Sequence, residues 1–172
     1  YNNSSFGTGD ITLDSGGTIY AVNNNVSLST RAVNLEGNGR FNLNGRTMWA
    51  DGAFSGAGDL TVTGGGNFNI TSQNNTYSGG TTIDGSQVNL YGATAALGTG
   101  DITFDNGGII KNRDNHITLN NNIVLGTGEG TFGGGTTGAQ GGGQFEAGWS
   151  KNITLNGVVS GDGALTVRSD SG

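Results

Sequence analysis

Apolar residues recur along the whole chain in pairs separated by one residue. Ile11/Leu13, Val26/Leu28, Val33/Leu35, Phe41/Leu43, Leu60/Val62, Phe68/Ile70 and Val88/Leu90 are followed by Ile102/Phe104, Ile117/Leu119, Ile123/Leu125, Ile153/Leu155 and Leu165/Val167. Such a triplet puts two apolar side chains on one face of a strand and its middle residue, usually Thr, Asn or Ser, on the other. Gly, Asn or Asp flanks nearly every triplet, β-branched residues dominate, and no stretch shows the period of a helix. The pattern predicts an all-β chain with no significant helix.

Short strands with frequent turns suit either an antiparallel sandwich or barrel, or a parallel β-helix whose turns stack as rungs. Sandwich hairpins favour longer alternating strands joined by tight turns, and these triplets are short with looser turns. Internal repetition favours the coil. FGTGDITLDSGG at Phe6–Gly17 returns as LGTGDITFDNGG at Leu97–Gly108, an offset of 91 residues. Between Gly7 and Phe41, 16 of 35 positions are identical at that offset without a gap. Repetition of this kind marks a stacked, quasi-one-dimensional architecture. The chain is therefore expected to be one β-helix segment over residues 1–172, built of two related repeats at about 6–96 and 97–172. Rungs of roughly 20–25 residues, at the short end of repeat periods, give about seven or eight of them. At about 4.8 Å per rung, the strand spacing, the rod would be roughly 35–40 Å long. The second repeat carries a Gly-rich insert of 14 positions near 133–152. That insert reads as an enlarged loop, or as a binding loop on a rigid scaffold.

Composition narrows the setting. Of 172 residues 36 are Gly, none is Pro and none is Cys. Proline would remove a rung-to-rung hydrogen bond, and a chain without cysteine has neither disulfides nor thiolate metal sites. Asn23–Asn25, Asn74–Asn75 and Asn120–Asn122 are candidates for ladders in which Asn stacks on Asn in the next rung. Seven basic residues against 13 acidic ones leave a net charge of −6. No basic patch is present for phosphate, so nucleic acid is not an expected partner, and nor is membrane insertion of this segment. Opening on YNNSS and closing on SDSG within repeat-like sequence, the chain reads as a piece of a longer protein.

Gly56–Gly108 contains GAGDLT at Gly56–Thr61, NTYSGGTTI at Asn75–Ile83, Gly85, and ALGTG at Ala96–Gly100. These stretches resemble the passenger-associated transport repeat, also called the autotransporter-associated β-strand repeat. NTYSGGTT is the specific mark, and GDGALTV at Gly161–Val167 extends the likeness. NFNIT at Asn67–Thr71 and GSQVNL at Gly85–Leu90 depart from the usual pattern but keep apolar residues inward. The resemblance implies a right-handed parallel β-helix from a secreted or surface-exposed bacterial protein using type V secretion.

Candidate chemistry is sparse. Asp10, Asp59, Asp101 and Asp162 sit beside Gly at repeat starts, as corner hydrogen-bonding residues or as a row of Ca²⁺ ligands along one edge. Calcium is the one cofactor considered; otherwise none is expected. His116 is the only histidine and stands at a turn. Lys111, Arg113 and Asp114 read as a solvated charged cluster. Trp49 and Trp149 are the candidate ligand-binding residues, since an exposed indole can stack on a sugar ring. Scattered carboxylates give no sign of the clustered acids a polysaccharide lyase or hydrolase needs, and no catalytic residue is assigned. The expected role is a non-enzymatic stalk or filament segment outside the cell, supporting adhesion or extracellular assembly. Its partners would be adjoining repeats or further copies end to end. The alternative is a glycan-binding adhesin surface that meets glycans or a host surface.

Overall fold

The computed structural model describes residues 7–92, 97–113, 116–127, 142–147 and 152–169. The first turn carries β1 (Ile11–Leu13), β2 (Thr18–Tyr20) and β3 (Val26–Ser27). The second carries β4 (Val33–Leu35), β5 (Gly39–Asn42) and β6 (Arg46–Ala50), and the third β7 (Phe54–Gly56), β8 (Leu60–Thr63) and β9 (Gly66–Ile70). The fourth holds β10 (Thr81–Asp84) and β11 (Gln87–Leu90), and the fifth β12 (Ile102–Asp105) and β13 (Gly108–Asn112). The sixth holds β14 (Ile117–Leu119), β15 (Ile123–Leu125) and β16 (Gly142–Ala147), and the last β17 (Ile153–Leu155), β18 (Val159–Gly161) and β19 (Ala164–Ser169). The described residues contain no helix.

Every strand pairing among the described residues is parallel and joins counterparts one turn apart. Two sheets are seven strands deep: β2-β5-β8-β10-β12-β15-β18 and β3-β6-β9-β11-β13-β16-β19. These are the second and third faces of the coil, and the first face carries β1-β4-β7 and, higher up, β14-β17. From the first to the last of these seven rungs the chain is a parallel β-solenoid of about 6 turns, the all-β coil that the sequence predicts. At about 4.8 Å per turn it rises roughly 29 Å between first and last strands.

The turn is 21 residues where Thr61, Thr82, Thr103 and Val124 stack. It takes 36 residues between Val124 and Ser160. The added length follows β15, yet part of the Gly-rich stretch is regular: β16 lies in register between β13 and β19, with Phe145 buried on Ile110.

Three faces share a 21-residue turn, so each face takes about seven residues. The 91-residue repeat is thus four turns and one further face. It carries β1 of the first face onto β12 of the second, β2 onto β13 of the third, and β3 onto β14 of the first. The two copies hold the same sequence on different sides of the coil. Each face accepts an apolar-polar-apolar triplet followed by a Gly corner, so a shift by one face leaves the core pattern intact.

The core is one continuous column system. Ile19, Phe41, Val62, Ile83, Phe104 and Leu125 stack along the second face, and Val26, Met48, Phe68, Val88, Ile110 and Phe145 along the third. Aromatic rings tie faces together. Phe41 meets Phe68 at 5.0 Å and Phe54 edge-on at 5.9 Å, and Phe104 meets Phe145 edge-on at 5.2 Å. Such pairs add about 0.5–1.5 kcal/mol each beyond burial.

The corner from the first face to the second is lined by glycine. A Cβ on Gly58 would stand 1.8 Å from the Gly37 carbonyl oxygen, one on Gly79 2.3 Å from that of Gly58, and one on Gly100 2.4 Å from that of Gly79. Turns can approach this closely only without a side chain. Asn121 ends the run and donates from Nδ2 to the Gly100 carbonyl at 2.7 Å. We predict that Gly79→Ala lowers stability by about 1–3 kcal/mol, the usual cost of overpacking. The denaturant midpoint should fall, and an unchanged midpoint would show that the corner can yield.

Candidate functional site

The polar side chains are best understood by where each turn needs a partner. Asp10 Oδ1 accepts the Ala32 N–H at 3.2 Å, Asp59 Oδ1 accepts the Gly80 N–H at 2.7 Å, and Asp101 Oδ1 accepts Asn122 Nδ2 at 3.1 Å. Each bond reaches the next turn. Asp59 and Asp101 precede strands of the second face, Asp10 precedes one of the first, and Asp162 lies between β18 and β19. The four do not share one edge, so they form no single row of Ca²⁺ ligands. Among the described residues no group of three or more His, Cys, Asp or Glu side chains is placed to hold a metal ion.

Asp84 and Asp105 face one another in register on neighbouring turns. The two lie 21 residues apart, a spacing that the apolar triplets do not display. Asp84 accepts Thr63 Oγ1 at 3.0 Å on one oxygen and Asn106 Nδ2 at 2.6 Å on the other. Both oxygens therefore serve the stack.

The candidate Asn ladders divide. Asn156 Nδ2 donates to Asn120 Oδ1 at 2.8 Å, and Asn122 Oδ1 accepts the Val158 N–H at 3.1 Å. Asn75 is buried and takes the Phe54 N–H on Oδ1 at 2.9 Å. Asn74 is exposed, with its own N–H directed to Ser72 Oγ at 3.4 Å, and Asn25 sits at φ 58°. A further Asn–Asn contact lies elsewhere, on the outer side of the third face. There Asn89 Nδ2 donates to Asn69 Oδ1 at 2.7 Å, both side chains being buried. Asn89 Oδ1 in turn accepts Gln87 Nε2 at 2.7 Å and Arg113 Nε at 3.1 Å. The departures NFNIT and GSQVNL supply these two asparagines.

Trp49 and Tyr91 flank this pair. Trp49 stands in register one turn before Asn69, and its ring lies 5.4 Å from that of Tyr91 at 35°. Both rings are half-buried. Beyond Asn89 the same outward row continues through Lys111, Glu146 and Arg168. Lys111 Nζ meets Glu146 Oε2 at 2.9 Å, with side chains 13% and 16% exposed, and Gln144 Nε2 donates to Glu146 Oε1 at 2.5 Å. Lys111 and Arg113 are therefore engaged on this face rather than simply solvated. Asp114 and Trp149 lie outside the described residues.

His116 Nδ1 accepts the Asn152 N–H at 3.1 Å, another bond between turns. Residues 75–80 of the NTYSGGTTI stretch cross the first face without forming a strand, and Thr81–Ile83 open β10 on the second. Thr76 and Ser78 still donate to the Phe54 and Gly56 carbonyls. Tyr77 is buried there, its hydroxyl 2.5 Å from Thr81 Oγ1 and its ring 6.4 Å from Phe54. Burial pushes the Tyr77 phenol well above its ordinary value, and the Thr81 hydrogen bond opposes that only in part.

Comparison with family models, with curated proteins and with solved structures finds no match. No helix among the described residues is long and apolar enough to cross a membrane.

The surface most able to meet a ligand is thus the outer third face around Trp49, Tyr91, Asn69 and Asn89. It offers an aromatic pair beside fixed amides, and no described proton-transfer pair. Asn89→Ala strips the partners from Asn69 Oδ1 and Arg113 Nε. It should cost about 1–3 kcal/mol through the unsatisfied buried Asn69 Oδ1, whereas exposed Arg113 can turn to water. Thermal unfolding would check it, and a wild-type melting temperature would show that the amides are independent.

Proposed function

We propose that this chain is a structural segment: a length of β-helical stalk or filament in a secreted or surface-exposed bacterial protein. The observation that carries the reading is how its polar side chains are used. Asp59, Asp84, Asp101, Asn75, Asn89 and His116 all bond between turns or within the outer ladder. They stiffen a rod instead of converging on a cleft. A rod with one continuous core extends by adding turns, so its natural partners are adjoining repeats or other copies. The resemblance of NTYSGGTTI and its neighbours to the autotransporter-associated repeat supports an extracellular setting and type V secretion.

A second reading is favoured by one observation, the half-buried Trp49–Tyr91 pair on the outer third face. That patch would hold a sugar ring against the aromatic surface, as an adhesin would, while the buried Asn69–Asn89 pair beneath holds the strands that carry the rings.

A glycan array and a polysaccharide-degradation panel separate the two. The structural reading predicts no retained glycan and no cleavage. Glycan retention that is lost in Trp49→Ala would replace it with the adhesin reading, and cleavage would overturn both.

A further inference from the structure

Beside its aromatic pair the outer third face carries a guanidinium that is anchored at one end and open at the other. The register of this face runs on past the strand ends. The Thr71 N–H donates to the Ala50 carbonyl at 3.2 Å, the Tyr91 N–H to that of Ile70 at 3.0 Å, and the Arg113 N–H to that of Leu90 at 3.0 Å. Asp51, Thr71, Tyr91 and Arg113 therefore stand on successive turns in one outward row. It runs beside the row of Trp49, Asn69, Asn89 and Lys111. At about 4.8 Å per turn, Arg113 stands one turn above Tyr91, and Asp51 lies roughly 14 Å below Arg113. The whole patch lies within the second to fifth turns, with further turns on either side.

Arg113 is exposed, and its Nε donates to the buried Asn89 Oδ1 at 3.1 Å. That bond fixes the root of the fork. Its two Nη groups have no hydrogen bond or ion pair among the described residues. The neighbouring carboxylates are engaged elsewhere. Glu146 meets Lys111 Nζ at 2.9 Å and accepts Gln144 Nε2 at 2.5 Å, and Asp51 Oδ1 accepts Thr71 Oγ1 at 2.8 Å. An anchored guanidinium loses little freedom when it binds, and its planar N–H groups match a carboxylate through two parallel bonds. The Trp49 and Tyr91 rings, 5.4 Å apart and inclined at 35°, give a sugar ring an apolar surface one turn below that fork.

Resting on the second reading above, we infer that this patch takes an acidic sugar. The ligand is a uronate unit of a polysaccharide, its ring on Trp49 and Tyr91 and its carboxylate on the two Nη groups of Arg113. A neutral sugar would use the rings and leave the fork to water. Asp51, exposed at the far end of the row, sets the direction: it repels the carboxylate of the sugar and accepts from hydroxyl groups, so the acid end points towards Arg113. With a net charge of −6 the chain does not attract a polyanion as a whole. Recognition is therefore local to one cation, and salt weakens it.

Oligomers of galacturonate, mannuronate and glucuronate, each beside its methyl ester, test this by calorimetry at low salt. At least one free acid should bind. Its ester has the same ring without the charge and should bind at least tenfold more weakly, the scale of a lost charge-assisted pair. Arg113→Gln should weaken the acid by a similar factor and leave the ester unchanged, and Trp49→Ala should weaken both. Arg40→Gln removes an exposed cation from the second face and should bind as the wild type does. Far-UV circular dichroism checks that the variants fold, and the comparison of acid with ester on the wild type needs no variant. Equal binding of acid and ester, or an acid preference that survives Arg113→Gln, would overturn the uronate assignment. So would a panel on which only neutral glycans are retained. If binding in these cases is still lost in Trp49→Ala, the adhesin reading stands without its acidic ligand. No retained glycan of any kind overturns both and leaves the structural reading.

Discussion

Everything in this protein depends on one turn lying on the next. A single turn is three short strands round a few apolar side chains and can bury nothing alone. Stacked in parallel register, the turns share one core, and each strand edge is satisfied by the strand above it. That constraint explains why the inward columns are almost purely Ile, Leu, Val, Phe and Met. It also explains why the side chains at the corners are small or able to bond across a turn. Where a turn meets its neighbour too closely for a side chain, at Gly58, Gly79 and Gly100, the carbonyls themselves set the limit.

The polar chemistry follows from the same constraint. Parallel strands leave the corners with donors and acceptors that the ladder does not reach. Asp10, Asp59 and Asp101 meet these with carboxylate oxygens, and Asn75, Asn121 and Asn122 with amides. On the outer third face the demand is different. There a row of side chains at strand spacing must satisfy one another. Asn69, Asn89, Gln87 and Arg113 do so as one network, and Lys111, Glu146 and Gln144 as the next. Trp49 and Tyr91 flank the first of these networks, which makes the patch both a structural element and the face best suited to contact a ligand.

Much of this was legible in the sequence. The apolar triplets name the inward columns correctly from Ile11 to Val167, because alternation at period two is all that a parallel coil needs. The repeat was also visible, but its meaning was not. Asp10 and Asp101 look like equivalent corners and are corners of different faces, since 91 residues is four turns and a third. Sequence identity cannot report that phase when all three faces accept the same triplet. The Asn69–Asn89 contact was hidden for a related reason. Its partners are 20 residues apart, whereas the Asn pairs that stand out in sequence, such as Asn74–Asn75, are adjacent. β16 was similarly masked by surrounding glycine, although Phe145 fills the same column as Ile110.

Amide hydrogen exchange measured residue by residue tests the stacked coil most directly. Opening a turn exposes its neighbours, so protection should be greatest in β8 to β13, where turns lie on both sides. It should fall steadily towards β17, β18 and β19, with residues one turn apart behaving alike. Protection that instead paired strands adjacent in sequence, as in hairpins, or that was absent from the central turns, would contradict the account.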